Sequence, residues 1–236
     1  MAEYGYIAVA RQRSLARELE TIANNVANMD TTGFRREGYV FTEFVERLQD
    51  APSVSLGHAG AHFASTLLGT RKVTGAPLDL MIDGEGYFAV DTAAGVRLTR
   101  AGAFLLSPES EIVTPDGHPL LDDGGAPIAI PAGTASIAIA LDGTVSADGA
   151  IVARVGVVGA DYRDLERRGD NLLEPMAGFA PLEDVAVRQG MLEGSNVDPV
   201  LEISRMIEVQ RAYERMQGIL ESEDERMKQL IQSLRT

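Results

Sequence analysis

Two stretches of the chain repeat their apolar residues on alternating three- and four-residue steps. Near the N-terminus Ala8, Leu15, Leu19, Ile22, Val26 and Met29 keep this rhythm, and only Gln12 breaks it. Near the C-terminus Met206, Val209, Tyr213, Met216, Leu220, Met227, Leu230 and Leu234 do the same, with Glu223 as the polar intruder. This spacing predicts two helices, each with an a/d seam whose side chains enter holes on a facing helix, as in a coiled coil. Asp198 followed by Pro199 marks a helix start: a carboxylate accepts from the free amides of the first turn, and proline has no amide to satisfy. Pairs such as Glu208–Arg211 and Asp224–Lys228 support the exposed side of the C-terminal helix.

Between these stretches the period falls to that of β structure. "LDLMI" (78–82), "GYFAVD" (86–91), "VRLTR" (96–100), "SIAIAL" (136–141) and "AIVARVGVVG" (150–159) are short β-rich runs. Asp-Gly pairs at 83–84, 116–117, 142–143 and 148–149 punctuate them, and such pairs are strong turn signals. No helix-period segment separates the runs, so an antiparallel sheet is expected rather than a parallel βαβ one. The fold class that follows is α+β: N- and C-terminal helices form a coiled-coil-like core around an inserted antiparallel, Gly-rich β domain. The expected segments are a helical 1–34, an extended connector 35–74, a β-rich domain 75–184, a second connector 185–197 and a C-terminal helix 198–236. An isolated helix pair buries few residues, so each arm is expected to seek neighbours beyond its own chain.

Charge sharpens this division. The 236 residues carry a formal charge of −14, placed unevenly. Residues 1–47 hold six bases against seven acids, 196–236 hold six against eight, and the middle holds nine against twenty. Nearly neutral ends suit packing, and an acidic middle suits water. The overall sign argues against nucleic acid, whose binding rests on Lys and Arg contacts to phosphate. There is no cysteine, so disulfides and thiolate chemistry are excluded. No secretory signal and no apolar run of membrane-spanning length is visible, and no direct membrane insertion is expected.

The search for chemistry yields little. "GEGYFA" (84–89) matches a loose dinucleotide fingerprint, but "YFAVD" continues as alternating β and offers no helix N-terminus for a pyrophosphate. His58 and His62 in "HAGAH" are four apart yet lie in a glycine-containing stretch without the glutamate of a zincin motif, and His118 sits in a Pro/Gly turn. Asp79, Asp83 and Glu85 are close in sequence, but Asp83 and Glu85 belong to a "DGEG" turn that favours Asp and Gly for conformational reasons. No catalytic residue, cofactor or metal is expected.

Asn24, Asn25 and Asn28 crowd the end of the first helix, although asparagine is a mediocre helix residue. At 100° per residue Asn24 and Asn28 lie outward from the seam, with Asn25 flanking them. An uncharged amide strip can pair across a crowded helix contact without desolvating charge, so an inter-subunit role is expected for these three residues. The plainer alternative is a polar helix end, with Asn28 near the C-cap and Gly33 supplying the turn.

"IANNVANMDTTGF" (22–34) resembles the N-terminal signature of flagellar axial rod and hook proteins. "DLMIDGEGYFAV" (79–90), "TRAGAFLLSPESEIVTPDGHPLL" (99–121) and "LEGSNVDPVLEISRMIEVQRAYE" (192–214) resemble further signatures of that family, in the same order. The opening "YIAVARQRSLARELETIANN" and the modest length look most like a proximal-rod member, whereas Asp198 departs from the pattern. The resemblance implies a structural subunit of the basal-body rod: a helical tube that transmits torque, with the terminal helices inside and the β domain outside. It also implies export through the flagellar type III apparatus, assembly in the periplasm, and other copies and other rod subunits as partners. A distal-rod or hook-type subunit is the near alternative, and a β-domain enzyme with coiled-coil oligomerisation arms the distant one.

Overall fold

A computed structural model describes residues 2–46, 54–65, 67–182 and 185–233. It has mixed helix and strand content, and the chain divides into two compact units. The first comprises Met1–Met29, Arg36–Ser65 and Val197–Thr236; the second comprises Asp30–Arg35 and Thr66–Asn196.

The first unit holds helix α1 (Ala2–Ala27), strands β1 (Glu37–Glu46) and β2 (Val54–Ala64), and helix α2 (Pro199–Ser233). Leu15 and Ile22 of α1 and Val209 of α2 are buried together, with Leu19, Val26, Met206, Ala212 and Tyr213 packed around them. Glu18 and Arg205 flank this seam as an ion pair at 2.9 Å. Asp198 starts α2: its Oδ1 accepts from the amides of Val200 at 2.9 Å and Leu201 at 3.2 Å, and its carbonyl accepts from Glu202 at 3.0 Å. These bonds occupy amides that the first turn of a helix leaves without a partner.

Strands β1 and β2 form an antiparallel ribbon running from the pair Glu37↔Ala64 to Glu46↔Val54, with a bulge after Tyr39. The ribbon falls where an extended connector was expected, so the structure differs there. Its sequence mixes strand-forming Tyr39, Val40, Phe41 and Val45 with Gly57, Ala59 and Gly60, which masks the strand period. The ring of Phe63 covers Gly38 across the ribbon, within 2.7 Å of where a Cβ would stand. His58 and His62 both lie in β2, opposite Thr42 and Tyr39. Four residues of strand separate them by ~13 Å, a poor spacing for shared metal ligands.

The second unit is built from short strands: β3 (Arg71–Val73), β4 (Leu80–Asp83), β5 (Tyr87–Thr92), β6 (Gly95–Thr99), β7 (Leu105–Leu106), β8 (Ile112–Val113) and β9 (Ile137–Ile139). There follow β10 (Thr144–Ala147), β11 (Ala150–Arg154), β12 (Val157–Gly159), β13 (Leu165–Arg167), β14 (Leu173–Pro175), β15 (Ala180–Pro181), β16 (Ala186–Gln189) and β17 (Met191–Glu193). The largest sheet has the order β13-β14-β6-β5-β12-β15, a smaller one β11-β10-β9, and every ladder is antiparallel. Strands β16 and β17 lie within the second expected connector and pair far back in sequence, Val187 with Ile82 and Leu192 with Lys72. Such long-range partners have no local sequence signal.

The core of this unit joins Leu80, Ile82, Phe88, Val90, Phe104 and Ile112 with residues from β9 to β16. Phe88 and Phe104 meet edge to face at 5.3 Å, the favoured arrangement of their ring quadrupoles. Gly102 is required beside them, because a Cβ there would stand 1.7 Å from the Leu80 carbonyl oxygen. The Asp-Gly turns hold Gly117, Gly143 and Gly149 at positive φ. "GEGYFA" runs straight into β5, not into a helix. No described helix is long and apolar enough to cross a membrane.

Candidate assembly surfaces

The sequence-predicted seam is used unevenly. Leu15, Leu19, Ile22 and Val26 face Met206, Val209 and Tyr213 in one cluster. Further along α2, Met216 and Leu220 are half-buried, while Met227 is 50% exposed; Met29, in the turn after α1, is 39% exposed. The Leu230 side chain and Leu234 lie outside the described residues. Apolar positions at heptad spacing therefore continue along α2 past the cluster that α1 covers.

Helix α2 also carries apolar residues away from this seam. Val200, Ile203 and Ile207 are exposed, Val200 at 71%. At 100° per residue they stand roughly 120–180° around the helix from Val209. Contiguous exposed apolar residues of this kind mark interaction surfaces, whereas scattered ones do not.

Of the three asparagines, Asn25 is the one buried and bonded into its own chain. Asn25 is 1% exposed, and its amide brackets the backbone of Glu37. Its Oδ1 accepts from the Glu37 amide at 2.9 Å, while Nδ2 donates to the Glu37 carbonyl at 2.8 Å and to Glu202 Oε2 at 3.3 Å. The other carboxylate oxygen of Glu202 accepts from Arg36 Nε. Asn25 is thus engaged within its own chain and is not available to an inter-subunit strip. The reason is angular: it lies about 60° from Ile22 around α1, on a flank of the seam rather than opposite it. Asn24 Nδ2 lies 3.4 Å from Glu37 Oε2, and Asn28 Nδ2 donates to the Asn24 carbonyl and Oδ1 at 2.9 and 2.8 Å.

The motif that follows, "TTGFR" (31–35), is seated in the second unit. Gly33 has φ +70°, and a Cβ would come within 2.4 Å of the Arg100 backbone. Its amide donates to the Glu193 carbonyl at 2.7 Å. Phe34 is buried beneath the Arg167 guanidinium, which lies 4.5 Å from the ring centre, and the Thr32 carbonyl accepts from Asn171 Nδ2 at 2.8 Å. The Glu193 carboxylate accepts from the Gly69 amide at 3.1 Å and sits 3.5 Å from Arg35 and 3.4 Å from Arg100. Burial pushes the Arg100 guanidinium down to about 10, with the Glu193 charge opposing, so it stays charged at neutral pH. Burial likewise raises the Tyr87 phenol beside it.

Reading the sequence alone missed Glu37, Glu193 and Glu202 as partners. Glu193 and Glu202 lie inside the quoted 192–214 motif, whereas Glu37 falls three residues past the 22–34 one. No group of three or more His, Asp or Glu side chains among the described residues could hold a metal ion.

These elements coincide with three family descriptions. Residues 6–35 match "Flagella basal body rod protein", 81–147 match "Flagellar hook protein FlgE/F/G D1 domain", and 188–233 match "Flagellar basal body rod FlgEFG protein C-terminal". The flagellar basal-body rod protein FlgF of Mesorhizobium japonicum is 37% identical over 233 residues, 95% of this chain and 96% of its own. FlgF of Caulobacter vibrioides is 37% identical over 240 residues, covering 97% of this chain and 96% of its own. The rod protein FlgG of Bacillus subtilis is 31% identical over 256 residues, covering 96% and 97%. With identity at this level running through both helical ends and the strands between, the chain belongs to the flagellar basal-body rod protein family.

Proposed function

We propose that this chain is a structural subunit of the proximal rod, of the FlgF type, that builds a helical tube transmitting motor torque. The observation that carries the reading is apolar surface on α2 that α1 leaves uncovered: Met227 along the seam, and Val200, Ile203 and Ile207 away from it. Copies of the same chain and of other rod proteins supply the cover. In the tube the terminal helices form a coiled-coil core and the Gly-rich β unit faces outward. The subunit travels through the flagellar type III export apparatus and assembles in the periplasmic space. Its role is mechanical, and the FlgF relatives are named for the rod rather than for a reaction.

The test is placement. A tagged chain is expressed in a strain lacking its rod gene, basal bodies are isolated, and the tag is located by electron microscopy. Label at the base of the rod is expected. Label farther out would assign the chain to the distal rod, a position that the FlgG likeness keeps in view. Label absent from basal bodies of a complemented, motile strain would overturn the structural reading.

A further inference from the structure

We propose that two buried carboxylates, Glu193 and Glu202, clasp the four passages of the chain between its two units, so that twist is shared among all four. This rests on the reading of the chain as a torque-transmitting rod subunit. The passages follow Met29, Arg35, Ser65 and Asn196. A single connection lets a few backbone torsions swing one domain against another. Four connections tied at both ends must turn together, whatever the arrangement of the units.

Within the β unit the tie is Glu193. Its carboxylate accepts from the Gly69 amide at 3.1 Å, beyond the third passage, and lies 3.5 Å from Arg35, directly before the second. Its carbonyl accepts at 2.7 Å from the amide of Gly33, which lies between the first and second. Two further bonds join the residues after Glu193 to the same stretch as Gly69. The Gly194 amide donates to the Thr70 carbonyl at 2.8 Å, and Asn196 Nδ2 to the Leu67 carbonyl at 2.7 Å.

Within the helical unit the tie is Glu202. One of its oxygens accepts from Asn25 Nδ2 at 3.3 Å, ahead of the first passage, and the other from Arg36 Nε, directly after the second. The Arg36 carbonyl accepts at 2.8 Å from the amide of Ser65, which precedes the third, and Glu202 itself follows the fourth. Arg35 and Arg36 thus stand on either side of one passage, each facing the carboxylate of its own unit. Exposed ion pairs contribute little, but breaking a buried one leaves a charge stranded, so these ties resist opening.

The first test needs no variant. Hydrogen exchange of the full chain across a denaturant series should show the Gly33, Gly69 and Gly194 amides opening as one event, with a common free energy and slope. In Glu193→Gln all three should exchange about tenfold faster, although Gly33 and Gly194 bond to backbone carbonyls and not to the carboxylate. Glu202→Gln should do the same for Glu37 and Ser65, whose amides bond to Asn25 and Arg36. Separate opening in the unaltered chain, or faster exchange at Gly69 alone in Glu193→Gln, would overturn the proposal. In cells, Glu193→Gln should lose more filaments in viscous medium than in dilute medium, relative to the parent. If the unaltered chain is found in the rod and the variant is no more sensitive to viscosity, the clasp is refuted while the rod reading stands. An unaltered chain absent from basal bodies overturns the rod reading, and the sharing of twist with it.

Discussion

The two units of this chain use apolar residues in opposite ways. The β unit gathers sixteen buried apolar residues in its main cluster and seven in a second, drawn from strands spread over more than a hundred residues. Among the described residues, the helical unit buries three in its cluster and displays more at regular spacing along α2. Each buried Leu, Ile or Phe contributes ~1.5–3 kcal/mol, so the β unit has its own source of stability, and the described part of the helical unit has less. We propose that the β unit folds alone and that the helical unit is completed by assembly.

The sharpest way to break this comparison is in the β core. Phe88→Ala should destabilise that unit by ~3–5 kcal/mol, read as a fall in its denaturant midpoint, because the ring is fully buried against Phe104. A small effect would mean that the β unit does not stand on its own core.

In the helical unit a single polar change should matter more than an apolar one. Asn25→Ala gains ~0.7 kcal/mol of helix propensity but strands the amide and carbonyl of Glu37, at about 1–3 kcal/mol. Hydrogen exchange at the Glu37 amide should accelerate markedly. Asn24→Ala serves as the control and should leave that amide unchanged, since only the Glu37 side chain lies near Asn24.

Leu220→Asp should change the unfolding of the purified chain by less than ~0.5 kcal/mol, because the residue is only half-buried. The same change should abolish rod assembly, where burial would leave the carboxylate unpaired. In the unassembled chain, amides of α2 beyond Met216 should exchange quickly and those of β5 and β6 slowly. Strong protection throughout α2 would erase the contrast between the units.

The smallest expected effect is acid sensitivity of the β unit. The Arg188 guanidinium, bonded to Asp83 at 2.7 Å, holds its carboxyl below the ordinary value of 3.8, with Arg71 assisting. Arg168 does the same for Glu174. A carboxyl more acidic when folded than when unfolded stabilises the fold fully above the unfolded value, and this contribution is lost as pH falls through the folded one. Urea midpoints of the β unit should be flat at neutral pH and decline only as the solution passes below the usual carboxylate range. Asp83→Asn should flatten part of that decline.

What could be read from residues alone were the features with local signals. The heptad positions Leu15, Ile22 and Val209 meet, Asp198–Pro199 opens α2, and the Asp-Gly pairs mark turns. The ribbon of β1 and β2 was hidden because small residues in 54–64 carry no strand period. Strands β16 and β17 were hidden because their partners lie about a hundred residues earlier. Asn25 was legible as unusual but not as a bracket, since Glu202 is 177 positions away. The pairing of Arg35 with Glu193 and of Arg36 with Glu202 shows why adjacent like residues defeat such reading. Only the fold decides which carboxylate each one meets.

The capped start of α2 has a consequence for the pace of construction. Helix formation is slow to begin, with a nucleation factor of ~10⁻³, and then adds residues in about a nanosecond each. With the Val200 and Leu201 amides held by Asp198, that initial barrier is lowered by about 1 kcal/mol. The far end of the helix can then extend as fast as a surface is offered to it.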